Sequence, residues 1–355
     1  MPRMTRLRTI VAALILAAPA TAHAQVSRED FFRALPKRTT PHDPGMLDAT
    51  ADWSLYDAAG WRAIGKGFYD TAEHEFLSAI QAARRLGPAD GRPLARSYAD
   101  YAWALQKQGR YAEAEPFARW ALASREALFP PESTPVARSR NQLATLYSES
   151  GRPAEAEPLL RRAVAQQEKG ARPDPAELAR SQTLLGLILV DQRRFPEAEP
   201  PFAKALTLQE KAKGPAHPET GDAASNLART FFEQRKYDRA RPLFERALAI
   251  FERARGPADP SIARTLDPLA RIDEAVGDSG KAEARYRRAI GIWEGLSPAG
   301  DEPKAEVAGH YAGLLDRLGR GDEARKLRPR AAPPRAGSPG PAGPPTGPGR
   351  PRLPG

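Results

Sequence analysis

Apolar residues along this chain fall at three- and four-residue spacing in helix-length runs, separated by short polar breaks. In Val136–Glu149, VARSRNQLATLYSE, the residues Val136, Leu143, Leu146 and Tyr147 share one face. Ser150-Gly151-Arg152 ends that run, since glycine tolerates the left-handed conformation found at helix C-termini. Pro153–Lys169 resumes it with Ala156, Leu159, Leu160, Ala163 and Val164, and Arg172-Pro173-Asp174-Pro175 stops it, because a residue before proline is pushed away from helical dihedrals. The same junction returns as Gly87-Pro88, Pro130-Pro131, Gly214-Pro215 and Gly256-Pro257. The unit is therefore helix, tight turn, helix, proline loop.

This unit repeats with a fixed period. Alanine recurs every 42 residues at Ala72, Ala114, Ala156, Ala198, Ala240, Ala282 and Ala324. Twelve positions ahead runs a ladder of Gly60, Ala102, Ala144, Gly186, Ala228, Ala270 and Ala312. Seven positions after it stand Ala79, Ala121, Ala163, Ala205, Ala247 and Ala289. Such self-similarity predicts an all-α solenoid of about seven stacked units, each contacting its neighbours. Small residues let helix backbones approach, while Phe76, Leu160, Phe202, Phe244 and Tyr286 are expected to fill the adjoining holes. Pro268 falls inside a first helix, and the seventh unit ends early at Arg325-Lys326-Leu327-Arg328 before Pro329, as a polar cap should.

The spacing resembles the tetratricopeptide repeat (TPR), in its 42-residue kinesin light chain subtype. The residues that carry the resemblance are Asn226-Leu227-Ala228, the turn Arg235-Lys236-Tyr237, the run Ala240–Leu248, and Gly214-Pro215-Ala216-His217-Pro218. It covers residues 51–327. It implies a right-handed superhelix whose concave face, lined by the first helix of each pair, binds peptides or protein segments.

The two ends read differently. In residues 1–24, Arg3, Arg6 and Arg8 precede the short apolar run Ile10–Ala18, and Ala22-His23-Ala24 offers a small-x-small cleavage site, the pattern of a secretory signal peptide. The apolar run is too short for a bilayer span, which needs about 20 residues. Residues 25–50 read as a linker, of which Gln25–Ala49 is also a candidate to fold back as an internal ligand, and 328–355 as a disordered Pro/Gly/Arg-rich tail. The net charge of +10 suggests nucleic acid until it is located. Residues 1–24 carry +3 and residues 328–355 carry +5, neither with an acidic residue, which leaves +2 on the chain between. A phosphate-binding stripe should survive that subtraction, so no nucleic-acid partner is expected.

No catalytic or cofactor motif is present, and none is expected to operate. Cysteine is absent, which removes disulfides and thiolate chemistry. Beyond residue 24, histidine occurs only at His42, His74, His217 and His310, in different phases of the repeat, so no metal pair forms. The carboxylate pairs Glu113/Glu115, Glu155/Glu157 and Glu197/Glu199 recur where second helices start, where acidic residues suit the helix dipole. Pro116, Pro158, Pro200 and Pro242 are read there too, near a helix start that tolerates a missing N–H.

The expected groove follows from phase. Trp61, Trp103, Thr145, Leu187 and Arg229 share one position of successive first helices, and Ile64, Gln106, Ser148, Val190 and Phe232 another. Arg96, Arg138, Arg180 and Arg264 share a third, where a planar guanidinium suits carboxylate recognition or pairs with acids of adjacent helices. The resemblance makes Asn226 a backbone clamp. Trp61 and Trp103 would set two aromatics side by side. The segment Leu184–Val190 is apolar all round, predicting a floor of Leu187, Val190 and Phe232. The chain thus reads as an exported adaptor, periplasmic or otherwise extracytoplasmic, that holds a protein or peptide. The alternative is a structural or assembly component acting through self-association or its basic tail.

Overall fold

The computed structural model describes residues 49–87, 91–171, 173–296 and 301–328. Among the described residues there are fourteen helices and no strand. The chain divides into two compact units at Pro257. In the first lie α1 (Ala49–Gly65), α2 (Tyr69–Arg85), α3 (Arg92–Lys107), α4 (Tyr111–Leu128), α5 (Thr134–Glu149), α6 (Pro153–Lys169), α7 (Pro175–Asp191), α8 (Phe195–Lys213), α9 (Pro218–Glu233) and α10 (Tyr237–Ala254). The second holds α11 (Pro260–Ala275), α12 (Ser279–Glu294), α13 (Asp301–Arg317) and α14 (Gly321–Leu327). The secretory reading of residues 1–24, most of the linker and nearly all of the tail fall outside the described residues.

Each pair turns through one residue of positive φ, at Gly67, Gly109, Gly151, Arg193, Arg235, Gly277 and Gly319. Glycine adopts this conformation freely, whereas Arg193 and Arg235, both at φ 58°, hold it at a steric cost of about 1–2 kcal/mol each. The next residue closes the turn by donating its backbone N–H to the carbonyl five residues back. Arg152 donates to Tyr147 O at 2.8 Å, Arg194 to Leu189 O at 2.8 Å and Lys236 to Phe231 O at 2.9 Å. This six-to-one bond satisfies a carbonyl that the helix end would orphan. The starts of α7, α9 and α11 carry proline in the first turn, and Asp174, His217 and Asp259 cap them through side-chain acceptors. His217 is thereby a structural cap, its Nδ1 accepting from Glu219 N at 3.2 Å.

All three small-residue ladders are buried among the described residues, and every alanine in them is fully enclosed. Phe76, Leu160, Phe202, Phe244 and Tyr286 fill the adjoining space, all nearly inaccessible. The fit is tightest where glycine replaces alanine. A Cβ built on Gly60 would lie 2.4 Å from the Phe76 ring, and one on Gly186 would lie 2.7 Å from Phe202. One expectation needs correcting: Pro116, Pro158, Pro200 and Pro242 lie more than a turn inside α4, α6, α8 and α10 rather than at their starts. Each leaves the carbonyl four residues back without its intrahelical donor, yet the helix continues. Pro268 sits within α11 in the same way.

Candidate binding face

In the first unit the first helices α1, α3, α5, α7 and α9 carry the residues expected in the groove, all but Arg264. Direct contacts join α1 to α3, α3 to α5 and α5 to α7.

Trp61 of α1 and Trp103 of α3 come together, with ring centroids 5.6 Å apart at 41°. Trp61 stays 39% exposed and rests edge-on against buried Phe76, while Lys107 reaches over Trp103 at 5.3 Å. Beneath the pair lie two buried carboxyls, Asp57 and Asp100, which sequence reasoning missed. Arg96 bridges them, at 2.9 Å from Asp57 Oδ2 and 3.5 Å from Asp100 Oδ2. The signal available was Arg96 four residues before Asp100 on one helix face.

The arginine ladder divides. Arg96 and Arg138 are consumed internally, Arg138 Nε donating to Glu177 Oε2 at 2.8 Å. Glu177 also accepts from buried Asn141, which donates to Ser181 Oγ at 2.9 Å, and Ser181 donates in turn to Gln167 at 2.7 Å. That closed network reads as structural glue between α5, α6 and α7. Arg180 and Arg229 are different: both are exposed and neither has an acidic partner among the described residues.

The same α7 presents an apolar patch. Leu187 is 39% exposed, and Leu184 and Val190 are half-buried, despite being surrounded by buried Leu185, Ile188 and Leu189. Phe232 departs from the expected floor. It is only 7% exposed, its ring set against Tyr237 at 5.6 Å and Phe244 at 6.4 Å, so it packs α9 on α10. Its phase straddles the inner face and the core, as buried Gln106 shows three helix pairs earlier. Asn226 is half-buried, and its carbonyl accepts from Thr230 at 2.9 Å. Arg264 belongs to the second unit, over the Trp293 ring at 5.8 Å.

The recurring glutamates also have a fuller explanation than the helix dipole. Arg110 binds Glu113 beside it and reaches back to Glu73 of α2, both at 2.6 Å. Arg152 repeats this with Glu155 and Glu115, and Arg194 with Glu197 and Glu157, again at 2.6 Å. Lys236 takes the same place on Glu199 at 2.5 Å, and in the second unit Arg320 holds Glu323 and Glu283. Burial works to raise the Glu115 carboxyl, but the hydrogen bonds from Arg152 and Arg119 outweigh it and hold it below the usual carboxylate range. Each rung therefore clips one turn to the preceding pair. Among the described residues no cluster of histidine and carboxylate could hold a metal ion, and no helix is long and apolar enough to cross a membrane.

Comparison with known proteins agrees with this architecture. A tetratricopeptide repeat model matches residues 54–127, 177–253 and 224–295, more than half of the chain, and a second model of that repeat matches 136–169. Among solved structures the chain is similar to BtubC (BKLC) from P. vanneervenii, with 23% identity, 71% of this chain and 93% of that one covered, and a TM-score of 0.56. It is similar to a putative kinesin light chain of Podospora anserina with nearly identical TPR-like repeats, at 24% identity, 57% and 96% coverage and a TM-score of 0.50. PilF of Pseudomonas aeruginosa matches at 22% identity, 73% and 100% coverage and a TM-score of 0.52. At these identities the likeness is one of fold. No curated protein sequence matches the chain.

Proposed function

This chain belongs to the tetratricopeptide repeat family, and we propose that it is an exported, non-catalytic adaptor that holds an extended protein segment along α3, α5, α7 and α9. The family is one of protein-interaction scaffolds, which supports a binding role in general. The observation that carries the specific reading is Leu187, exposed on a largely apolar helix that also bears Arg180, which like Arg229 of α9 is exposed with no acidic partner among the described residues. A segment with an apolar side chain flanked by carboxylates fits that arrangement. The apolar group covers Leu184, Leu187 and Val190, and the carboxylates meet Arg180 and Arg229 in bidentate geometry. The Trp61–Trp103 pair offers a second contact for a longer segment. Export rests on the signal-type pattern of residues 1–24, which places the partner in the periplasm or beyond.

The test is affinity capture from envelope and secreted fractions, with wild type beside Leu187→Glu and an Arg180→Glu/Arg229→Glu double variant. Losing one buried leucine contact removes about 1.5–3 kcal/mol, roughly ten- to hundredfold in affinity. Because Leu187 is already exposed, the Leu187→Glu protein should melt within about 0.5 kcal/mol of wild type. A partner kept equally by all three proteins would overturn the reading and move binding to another surface.

A further inference from the structure

Among the described residues the Asp57–Asp100 pair beneath Trp61 is short of one positive charge. Both residues are at least nine-tenths buried, Asp57 at 6% exposure and Asp100 at 9%. Among the described residues Asp57 Oδ1 and Asp100 Oδ2 have no hydrogen-bond donor, although a buried carboxylate oxygen ordinarily finds one. One guanidinium, Arg96, serves both carboxyls, hydrogen-bonding distance being reached only at Asp57.

The other neighbours do not supply the missing charge. Trp61 of α1 offers its indole N–H to Asp100. Glu73 of α2 is taken up by Arg110 and approached by Tyr101. Arg125 of α4 feels the Asp100 charge but spends its hydrogen bonds on Pro135 O and Ser139 Oγ. From α5, Gln142 donates to Ala99 O and Arg138 is committed to Glu177. Two carboxylates facing each other in this setting repel unless a proton sits between them.

We infer that α1 is held against α3 by one proton shared between Asp57 and Asp100, and that losing this proton loosens α1 together with the Trp61–Trp103 pair. Burial, with the Asp57 charge adding to it, pushes the Asp100 carboxyl up to about 7, against the opposing pull of Arg96. The sign follows. A carboxyl raised on folding adds stability that is fully present below its ordinary value of 3.8 and is lost as pH rises through about 7. The inner-face aromatic pair is thus assembled on the acid side of neutrality and relaxed on the alkaline side. An exported adaptor would then grip more tightly at its α1–α3 end in mildly acidic surroundings. That consequence uses the proposed binding role, whereas the shared proton stands without it.

Amide hydrogen exchange on the full chain at about pH 6 and pH 8, corrected for intrinsic exchange, reads the proton directly. Protection in α1 should fall about tenfold between those values relative to α9 and α10, which contain no such pair. Asp100→Asn should abolish the difference and keep α1 protected at pH 8, because an amide donates to Asp57 without titrating. Asp57→Asn should do the same, so the expectation survives if one variant folds poorly. Arg96→Gln should move the midpoint upward by removing the charge that favours ionisation. Equal α1 protection at both pH values in wild type would overturn the inference. So would a pH-dependent loss that persists in both asparagine variants.

Discussion

The contact between Gly186 and Phe202 makes a prediction whose sign depends on background. Three ring atoms of Phe202 lie 2.7–2.8 Å from where a Cβ on Gly186 would sit, closer than real Cβ contacts come. Gly186→Ala brings two opposed effects. Alanine is better than glycine within a helix by about 1 kcal/mol, while overpacking a filled core costs about 1–3 kcal/mol. Net destabilisation of about 0–2 kcal/mol is expected in the wild-type background, at the lower end because Ala228 faces Phe244 at the matching place one unit on. Phe202→Ala alone should cost about 3–5 kcal/mol through the cavity it leaves. In that background the methyl group of Gly186→Ala meets no ring and lines the hole, so the same substitution should stabilise by about 1 kcal/mol. The cycle therefore predicts a coupling of about 1–3 kcal/mol. Urea unfolding followed by helical circular dichroism measures all four proteins, and amide exchange in α7 and α8 localises the effect. If Gly186→Ala stabilises both backgrounds equally, the ring yields freely and the close fit has no energetic weight.

Further outcomes concern the charged rungs. Glu115→Gln should cost about 1 kcal/mol at neutral pH, since Arg152, Arg119 and the Tyr147 hydroxyl all converge on that carboxylate. Glu115 is held below its ordinary value of 4.5, so its stabilisation is present above that pH and lost as pH falls through the lowered value. Urea midpoints between about pH 3 and pH 7 should then show a shallower acid limb in Glu115→Gln than in wild type. In the second unit the hydrogen bond to Asp267, at 2.8 Å, raises His310 above 6.5 even though burial opposes it. Its contribution is full below 6.5 and disappears as pH rises through the raised value; Asp267→Asn should bring the ring titration down, read by NMR of the imidazole.

Much of this was legible in the sequence because sterics leave few choices. A position where two helix backbones approach admits only glycine or alanine, so the ladders showed through without any partner being known. The turns showed through for the same reason, although Arg193 and Arg235 hide their left-handed conformation behind a side chain that rarely adopts it. The ion rungs were half visible. Glutamates at second-helix starts looked sufficient on dipole grounds, and the reach of Arg110 back to Glu73 emerges only when residues far apart in sequence are paired. Groove residues were the least legible. Arg96 and Arg180 occupy one phase of the repeat, yet Arg96 is bound to Asp57 and Arg180 has no acidic partner among the described residues, a difference set by what the neighbouring helix presents. Phe232 sits where a small rotation of its helix decides between surface and core.

The arginine rungs also act as a ruler. Glu73 stands 37 residues before Arg110, Glu115 the same distance before Arg152, and Glu157 the same before Arg194. Excising residues 74–115 would leave Glu73 at that distance from Arg152, with Glu155 still beside the new bond. Duplicating a stretch of 42 residues preserves the grammar equally, whereas gaining or losing a single residue between rungs breaks it. Descendants of this chain are thereby free to change length in whole units and held to a strict reading frame within them. Its inner face can be lengthened or shortened one helix at a time without redesigning any joint.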